Sequence, residues 1–284
     1  MKHFIAIAAV LITGAASAQT ITRKAVFTKG QQIETSTSMK MVMTMEMMGQ
    51  SMDMVNNYKF TNKVGITDAS AAETKLTNTL TRAVVDMQAG PQSMSYDSDK
   101  KEDSTSQFAD AFRSKLNNPT NVTIDKKGMI TASDEKETKE GEDMFGSMSG
   151  NVGESMTKVG SSLEIIANLP ERTLKAGDTW VDSLTDQKTQ SKFVINYRVV
   201  SIQGADAQIN FGGTVTRSGE IEQAGMTMNM DLKGLLKGDY TMEVATGLVK
   251  NRKMNMDGDG KLAVAGQEIP FKMKIDTDTN STKK

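Results

Sequence analysis

The chain has 284 residues, with 34 Lys and Arg against 35 Asp and Glu, a formal net charge of −1, no cysteine, one histidine and 22 methionines. So even a balance lacks the concentrated basic footprint that nucleic acid demands, and it equally argues against an anionic membrane surface as the main partner. The aromatics (9 Phe, 4 Tyr and 1 Trp) are too few for the two girdles of an outer-membrane barrel.

Residues 1–18 read as a signal peptide. Lys2 gives a positive start, Phe4 to Ile12 is an unbroken apolar run, and Ala16-Ser17-Ala18 is a small-residue cleavage site. The run is too short to span a bilayer, which takes roughly 20 apolar residues. The expected mature chain starts at Gln19 and is exported, to the periplasm or beyond the cell.

The only histidine is His3, inside that leader. The mature chain therefore has neither imidazole nor thiol. Ser-His-Asp and Cys-His catalysis, zinc sites of the Cys/His kind and haem held by His or Cys are excluded for lack of atoms. No cofactor is expected.

From Met39 the sequence alternates. Met39, Met41, Met43, Met45 and Met47 recur at period two, with Lys40, Val42, Thr44 and Glu46 between them. After Gly49 the apolar phase moves to even positions: Met52, Met54, Tyr58, Phe60, Val64 and Ile66. A two-residue turn at Gly49-Gln50 would explain both phases, pairing Met47 with Met52, Met45 with Met54, Met41 with Tyr58 and Met39 with Phe60 on one face. A third strand is expected from Thr74 to Met87, ended by Gly90-Pro91.

The period then changes. Phe108, Phe112 and Leu116 fall at i, i+4 and i+8, a short helix over Ser104 to Leu116 stopped by Asn117-Asn118-Pro119. Asn121 to Ala132 reads as a hairpin turning at Asp125 to Gly128. Met144, Met148, Val152, Met156, Val159, Leu163 and Ile166 step by four and three, which predicts a long helix despite Gly146, Gly150, Gly153 and Gly160. Beyond Leu169-Pro170 alternation returns. The expected strands carry Phe193 to Val199, Ala205 to Phe211, Met226 to Leu232, Tyr240 to Val244, Met254 with Met256, Leu262 with Val264, and Ile269 to Ile275. Gly204, Gly238, Gly247, Gly258, Gly260 and Gly266 punctuate them.

Candidate chemistry is thin. Of the S-x-x-K spacings (Ser98/Lys101, Ser133/Lys136, Ser155/Lys158, Ser281/Lys284), only Ser155/Lys158 falls on an expected helix, and no S-D-N or K-T-G accompanies it. A calcium loop starting at Asp257 fails because Lys261 and Leu262 occupy its fifth and sixth places, so Asp257 to Gly260 reads as a hairpin turn. A carboxylate pair for glycoside hydrolysis is set in space rather than sequence, and Trp180 is the single tryptophan available as a sugar platform.

The distinctive residues are the methionines with their aromatic neighbours: Met39, Met41, Met43, Met45, Met47, Met52, Met54, Tyr58 and Phe60. Three readings stand side by side. They form a groove for an apolar or lipid-like ligand, since Met adapts to varied shapes. They form the core of a structural or interaction protein, since Met replaces Leu or Ile at little cost. Or their thioethers hold copper(I), a soft ion. Of the three, the groove is the leading expectation, and the protein is read as non-enzymatic.

The run Leu169-Pro170-Glu171-Arg172-Thr173-Leu174-Lys175-Ala176-Gly177-Asp178-Thr179-Trp180, the Met-alternating hairpin and Gly238-Asp239-Tyr240 leading to Thr246-Gly247-Leu248 resemble an uncharacterised family of exported bacterial β-rich proteins. That resemblance implies a fold from Ala25 to Asp276 and carries no catalytic residues. More loosely, the pattern is similar to periplasmic lipoprotein-carrier half-barrels. The expected architecture is mainly β (α+β): a curved antiparallel sheet or two coupled sheets, with one long and one short inserted helix. Residues 19–275 form one domain, with halves 19–134 and 168–275 joined by a helical segment 135–167, and 276–284 form a polar disordered tail.

Overall fold

The computed structural model describes residues 19–47, 49–135, 159–186, 190–223, 226–264 and 267–284. Alternating sequence becomes strand throughout. The strands are β1 (Thr20–Ile21), β2 (Gln32–Met47), β3 (Gln50–Ala69), β4 (Glu73–Ala89), β5 (Gln92–Asp97), β6 (Thr120–Asp125), β7 (Ile130–Ser133), β8 (Leu174–Lys175), β9 (Thr179–Asp186), β10 (Ser191–Gln203), β11 (Asp206–Gln223), β12 (Met226–Glu243), β13 (Val249–Val264) and β14 (Gln267–Lys283). One antiparallel sheet follows the order β7-β6-β4-β3-β2-β14-β13-β12-β11-β10-β9, with β5 also on β4 and a separate β1-β8 pair. Among the described residues the path is open: β7 and β9 are its ends and are not neighbours.

Length explains the sheet's cohesion. Strands of 16 to 20 residues run from β2 to β4 and from β11 to β14. Each ladder leaves one polar and one apolar face at period two. The apolar face holds Met39, Met41, Met45, Tyr58, Val215, Leu232, Met256, Phe271, Met273 and Ile275, all buried in one cluster. A second cluster gathers Ile33, Val64, Ile66, Leu76, Ile124 and Ile130 with Leu163, Ile165 and Ile166. Burial of each such side chain contributes about 1.5–3 kcal/mol.

The first hairpin turns one residue earlier than the sequence suggests. Met47 pairs with Gln50, so Met45 meets Met52, Met43 meets Met54 and Met39 meets Tyr58. Gly49 lies at φ +77°, a left-handed position that favours glycine. The register moves by two residues, which preserves the faces: a shift of one would have sent every methionine to the polar side.

The short helix is α1 (Gln107–Arg113), preceded by a 3-10 turn over Lys101–Thr105. Ser106 caps it by accepting a hydrogen bond from the Ala109 amide. Phe112 stacks on Tyr96 at 5.6 Å between ring centroids and lies 6.1 Å from Phe60. The hairpin at Asp125 to Gly128 forms as expected between β6 and β7.

Three expectations are corrected. Among the described residues there is no long helix. Residues 136–158 of the expected one lie outside the described residues, and Val159–Ile166 runs as an irregular strap of turns with isolated bridges from Ser162 to Met129 and from Ile166 to Leu248. Its backbone is claimed by strands: Ile130 N bonds to Ser161 O, Leu163 N to Gly128 O and Val249 N to Ile165 O. The 276–284 segment is not a disordered tail, since residues up to Lys283 complete β14 against β2. Its Thr and Ser residues alternate with charged ones and meet a matching polar end of β2, where Thr37 and Thr279 hydroxyls bond at 3.2 Å. Finally, Gly238, Gly258 and Gly260 do not end strands but lie inside β12 and β13, so Asp257 to Gly260 is no hairpin turn. A Cβ at Gly238 would stand 2.5 Å from the Phe211 ring and one at Gly260 2.7 Å from Phe271. Aromatic rings on neighbouring strands occupy the room that glycine leaves.

Candidate apolar ligand face

Cross-strand pairing sorts the apolar face into rows perpendicular to the strands, with neighbours about 4.8 Å apart. One row runs Leu232, Gly260, Phe271, Met45, Met52. The next is Gly234, Gly258, Met273, Met43, Met54. Then come Leu236, Met256, Ile275, Met41, Asn56 and Met87, and after them Gly238, Met254, Thr277, Met39, Tyr58 and Val85. Below these lie Tyr240, Arg252, Thr279, Thr37 and Phe60.

The structure thus brings the sequence-selected residues together. Met39, Met41, Met45 and Tyr58 are buried, and Met43, Met52, Met54 and Phe60 pack against the same cluster half-buried. The Met47 side chain lies outside the described residues. Tyr58 and Phe60 rings are 6.3 Å apart and nearly parallel. Burial pushes the Tyr58 phenol up to about 12. The face is filled rather than hollow around Met41, which is 1 % exposed. A filled methionine interior remains deformable, because Met is unbranched and has three rotatable bonds.

Sequence reasoning passed over the polar members of this face. Asn56 is 1 % exposed, yet neither its Oδ1 nor its Nδ2 has a hydrogen-bond partner. The buried Thr277 Oγ1 and Tyr240 hydroxyl also lack partners. Arg252 sits 5.6 Å above the Tyr240 ring centroid, a cation–π arrangement. Burial raises the Tyr240 phenol above its usual range, with Arg252 opposing the shift. From the strap, Glu164 buries its unpartnered Oε2. Desolvation raises its carboxyl above the ordinary value, partly offset by Arg252. The signal was present in the alternation: at 56, 252 and 277 a polar residue takes a place whose neighbours two away are apolar on at least one side.

The polar face is different. Two open troughs of about 730 and 880 Å³ share Thr44, Thr216, Lys233, Asp259 and Lys272. Their charges are mixed, and Lys274 pairs with Asp257 at 3.5 Å. Among the described residues no cluster of three or more His, Cys, Asp or Glu is placed to hold a metal ion. No described helix is long and apolar enough to cross a membrane. Trp180, at the other end of the sheet, stacks on Tyr197 at 4.9 Å and 7°. In the quoted 169–180 run, Asp178 accepts the Lys175 amide and ion-pairs with Arg172, so these residues build a turn.

Comparison with known proteins adds the following. Residues 71–249 match the model of a family of unknown function (DUF6263). No curated protein matches the chain. Among solved structures, lipovitellin, described for its lipid–protein interactions, is similar over 90% of this chain with TM-score 0.50 and 9% identity. The chain spans 25% of that protein's length, so the likeness is one of fold. An outer-membrane channel from Pseudomonas putida F1 aligns over 91% of this chain and 98% of its own at TM-score 0.25 and 6% identity.

Proposed function

From the premise that the chain belongs to this family of unknown function, DUF6263, we propose that it is a non-enzymatic exported protein that binds an apolar, lipid-like ligand on its methionine face. The observation that carries the reading is the four-row methionine face, buried to half-buried and continuous across β13, β14, β2 and β3. Among the described residues the sheet is not closed by hydrogen bonds into a cylinder. The face can therefore be uncovered without breaking a ladder, and flexible thioether side chains can re-pack around an acyl chain. The fold likeness to lipovitellin, a protein described for its lipid interactions, agrees with this reading. Export rests on the leader at 1–18.

The test is solvent extraction of the purified native protein followed by mass spectrometry, with thermal melting in the presence of acyl ligands. The reading expects a stoichiometric extracted lipid, or a rise in melting temperature from mass action. Finding no extracted lipid and no rise would refute it.

One observation favours a second reading. Met41 and Met39 are 1 % and 4 % exposed and already packed. On that reading the methionines are simply the core of an envelope interaction protein, and acyl ligands leave the melting temperature unchanged.

A further inference from the structure

The polar groups on the apolar face are not equivalent. Thr37 and Thr279 satisfy one another, as do Thr35 and Ser281 at 3.3 Å. Asn56 does not: its whole amide is buried and unpartnered. It stands between Met41 on β2 and Met87 on β4. Within β3 it lies between Met54 and Tyr58, the residues two away on the same face. An unpaired buried amide destabilises the protein, whereas an apolar residue of the same shape would not. Leucine at 56 would extend the methionine rows without a defect. A protein that keeps Asn here has an interior suited to something that brings its own hydrogen-bonding group.

Resting on the reading of this face as a ligand interior, we infer that Asn56 anchors the head of an amphiphile: an aliphatic chain ending in one uncharged O–H group. The chemistry selects that class. The amide offers an acceptor and two donors at one point. A hydroxyl or a protonated carboxyl can donate to Oδ1 and accept from Nδ2, while a hydrocarbon can do neither. The row of Asn56 holds no cation from Gly213 through Leu236, Met256, Ile275, Met41 and Met87 to Met94, so an ionised head would be desolvated without a partner. The aliphatic chain then lies along the Met43 and Met45 rows.

The experiment is displacement of N-phenyl-1-naphthylamine by 1-dodecanol, dodecanoic acid and dodecane, in the wild-type full mature chain and in Asn56→Leu. The expected result is a preference for dodecanol over dodecane of about tenfold in the wild type, the size of one buried hydrogen bond. Dodecanoic acid should match dodecanol at low pH and weaken as it ionises. Asn56→Leu should melt higher than the wild type and lose the dodecanol preference while keeping dodecane. Asn56→Ala removes the amide without adding volume and gives the same readout independently. An unchanged dodecanol preference in the variants overturns the anchor and leaves the apolar reading standing. Failure of all three compounds to displace the probe from the wild type overturns both.

Discussion

Met41 and Asn56 face each other across β2 and β3, each 1 % exposed, one a flexible thioether and the other an amide with no partner. The pairing sets the character of the interior. Its walls are apolar and adaptable, and the Asn56 amide is fixed at a known place in the methionine rows, one row from the unpartnered Thr277 hydroxyl.

Met41→Ala removes a fully buried side chain from the centre of the largest cluster. It should cost about 2–5 kcal/mol of stability, while Met41→Leu, which nearly conserves volume, should cost under about 1.5 kcal/mol. Urea unfolding followed by circular dichroism checks both. A Met41→Ala loss within about 0.5 kcal/mol would mean that the side chain is not in the core.

The strand-interior glycines are close-packed. A Cβ at Gly238 would lie 2.1 Å from the Lys253 carbonyl oxygen and 2.5 Å from Phe211 Cζ. Gly238→Ala should therefore destabilise by about 1–3 kcal/mol or more through overpacking. At Gly212 the nearest heavy atom is 3.4 Å away, the Leu236 carbonyl oxygen, and φ is not in the left-handed range. Gly212→Ala should stay within about 0.5 kcal/mol of the wild type. Equal effects in parallel melts would remove the packing account of these glycines.

Glu164 gives a pH signature. Its carboxyl is raised in the folded state by desolvation, against an ordinary value of 4.5. A raised folded value means the contribution is fully favourable below the unfolded value and is lost as pH rises through the folded one. Glu164→Gln should thus leave the melting temperature unchanged below pH 4.5 and raise it at pH 7. The difference between variant and wild type isolates this one group. A variant less stable at pH 7 would show that the attraction to Arg252 outweighs burial.

Strict alternation made most of this fold readable. Met39 to Met47 and Met52 to Phe60 announced both strands and the shared face, because period two admits only two faces. The turn position was not fixed by that pattern. Moving the register by two preserves every face, and a positive φ at Gly49 suits either turn, so only the pairing of Met47 with Gln50 distinguishes the alternatives. Gly238 and Gly260 misled for a different reason. Glycine marks either a turn or a close approach, and only the tertiary position of Phe211 and Phe271 decides between them. The strand at 276–283 was hidden because its pairing surface is threonine and serine rather than hydrocarbon. Val159–Ile166 shows the apolar spacing of a helix, but its backbone hydrogen bonds go to β7, β13 and the Gly128 turn. Asn56 was visible as a gap in the even-numbered apolar phase, yet its lack of a partner is a property of the assembled sheet.

The most direct test of a ligand-binding methionine face uses protein labelled with carbon-13 at the methionine methyls. Each signal is assigned by single Met→Leu substitutions and followed as 1-dodecanol is added. Met129, which accepts hydrogen bonds from Arg23 and Ser162 away from this cluster, serves as the outside reference. The account predicts saturable shifts at Met39, Met41, Met43, Met45, Met52 and Met54 with Met129 unmoved. Shifts confined to Met129, or none among the six up to the solubility limit of the alcohol, would contradict it.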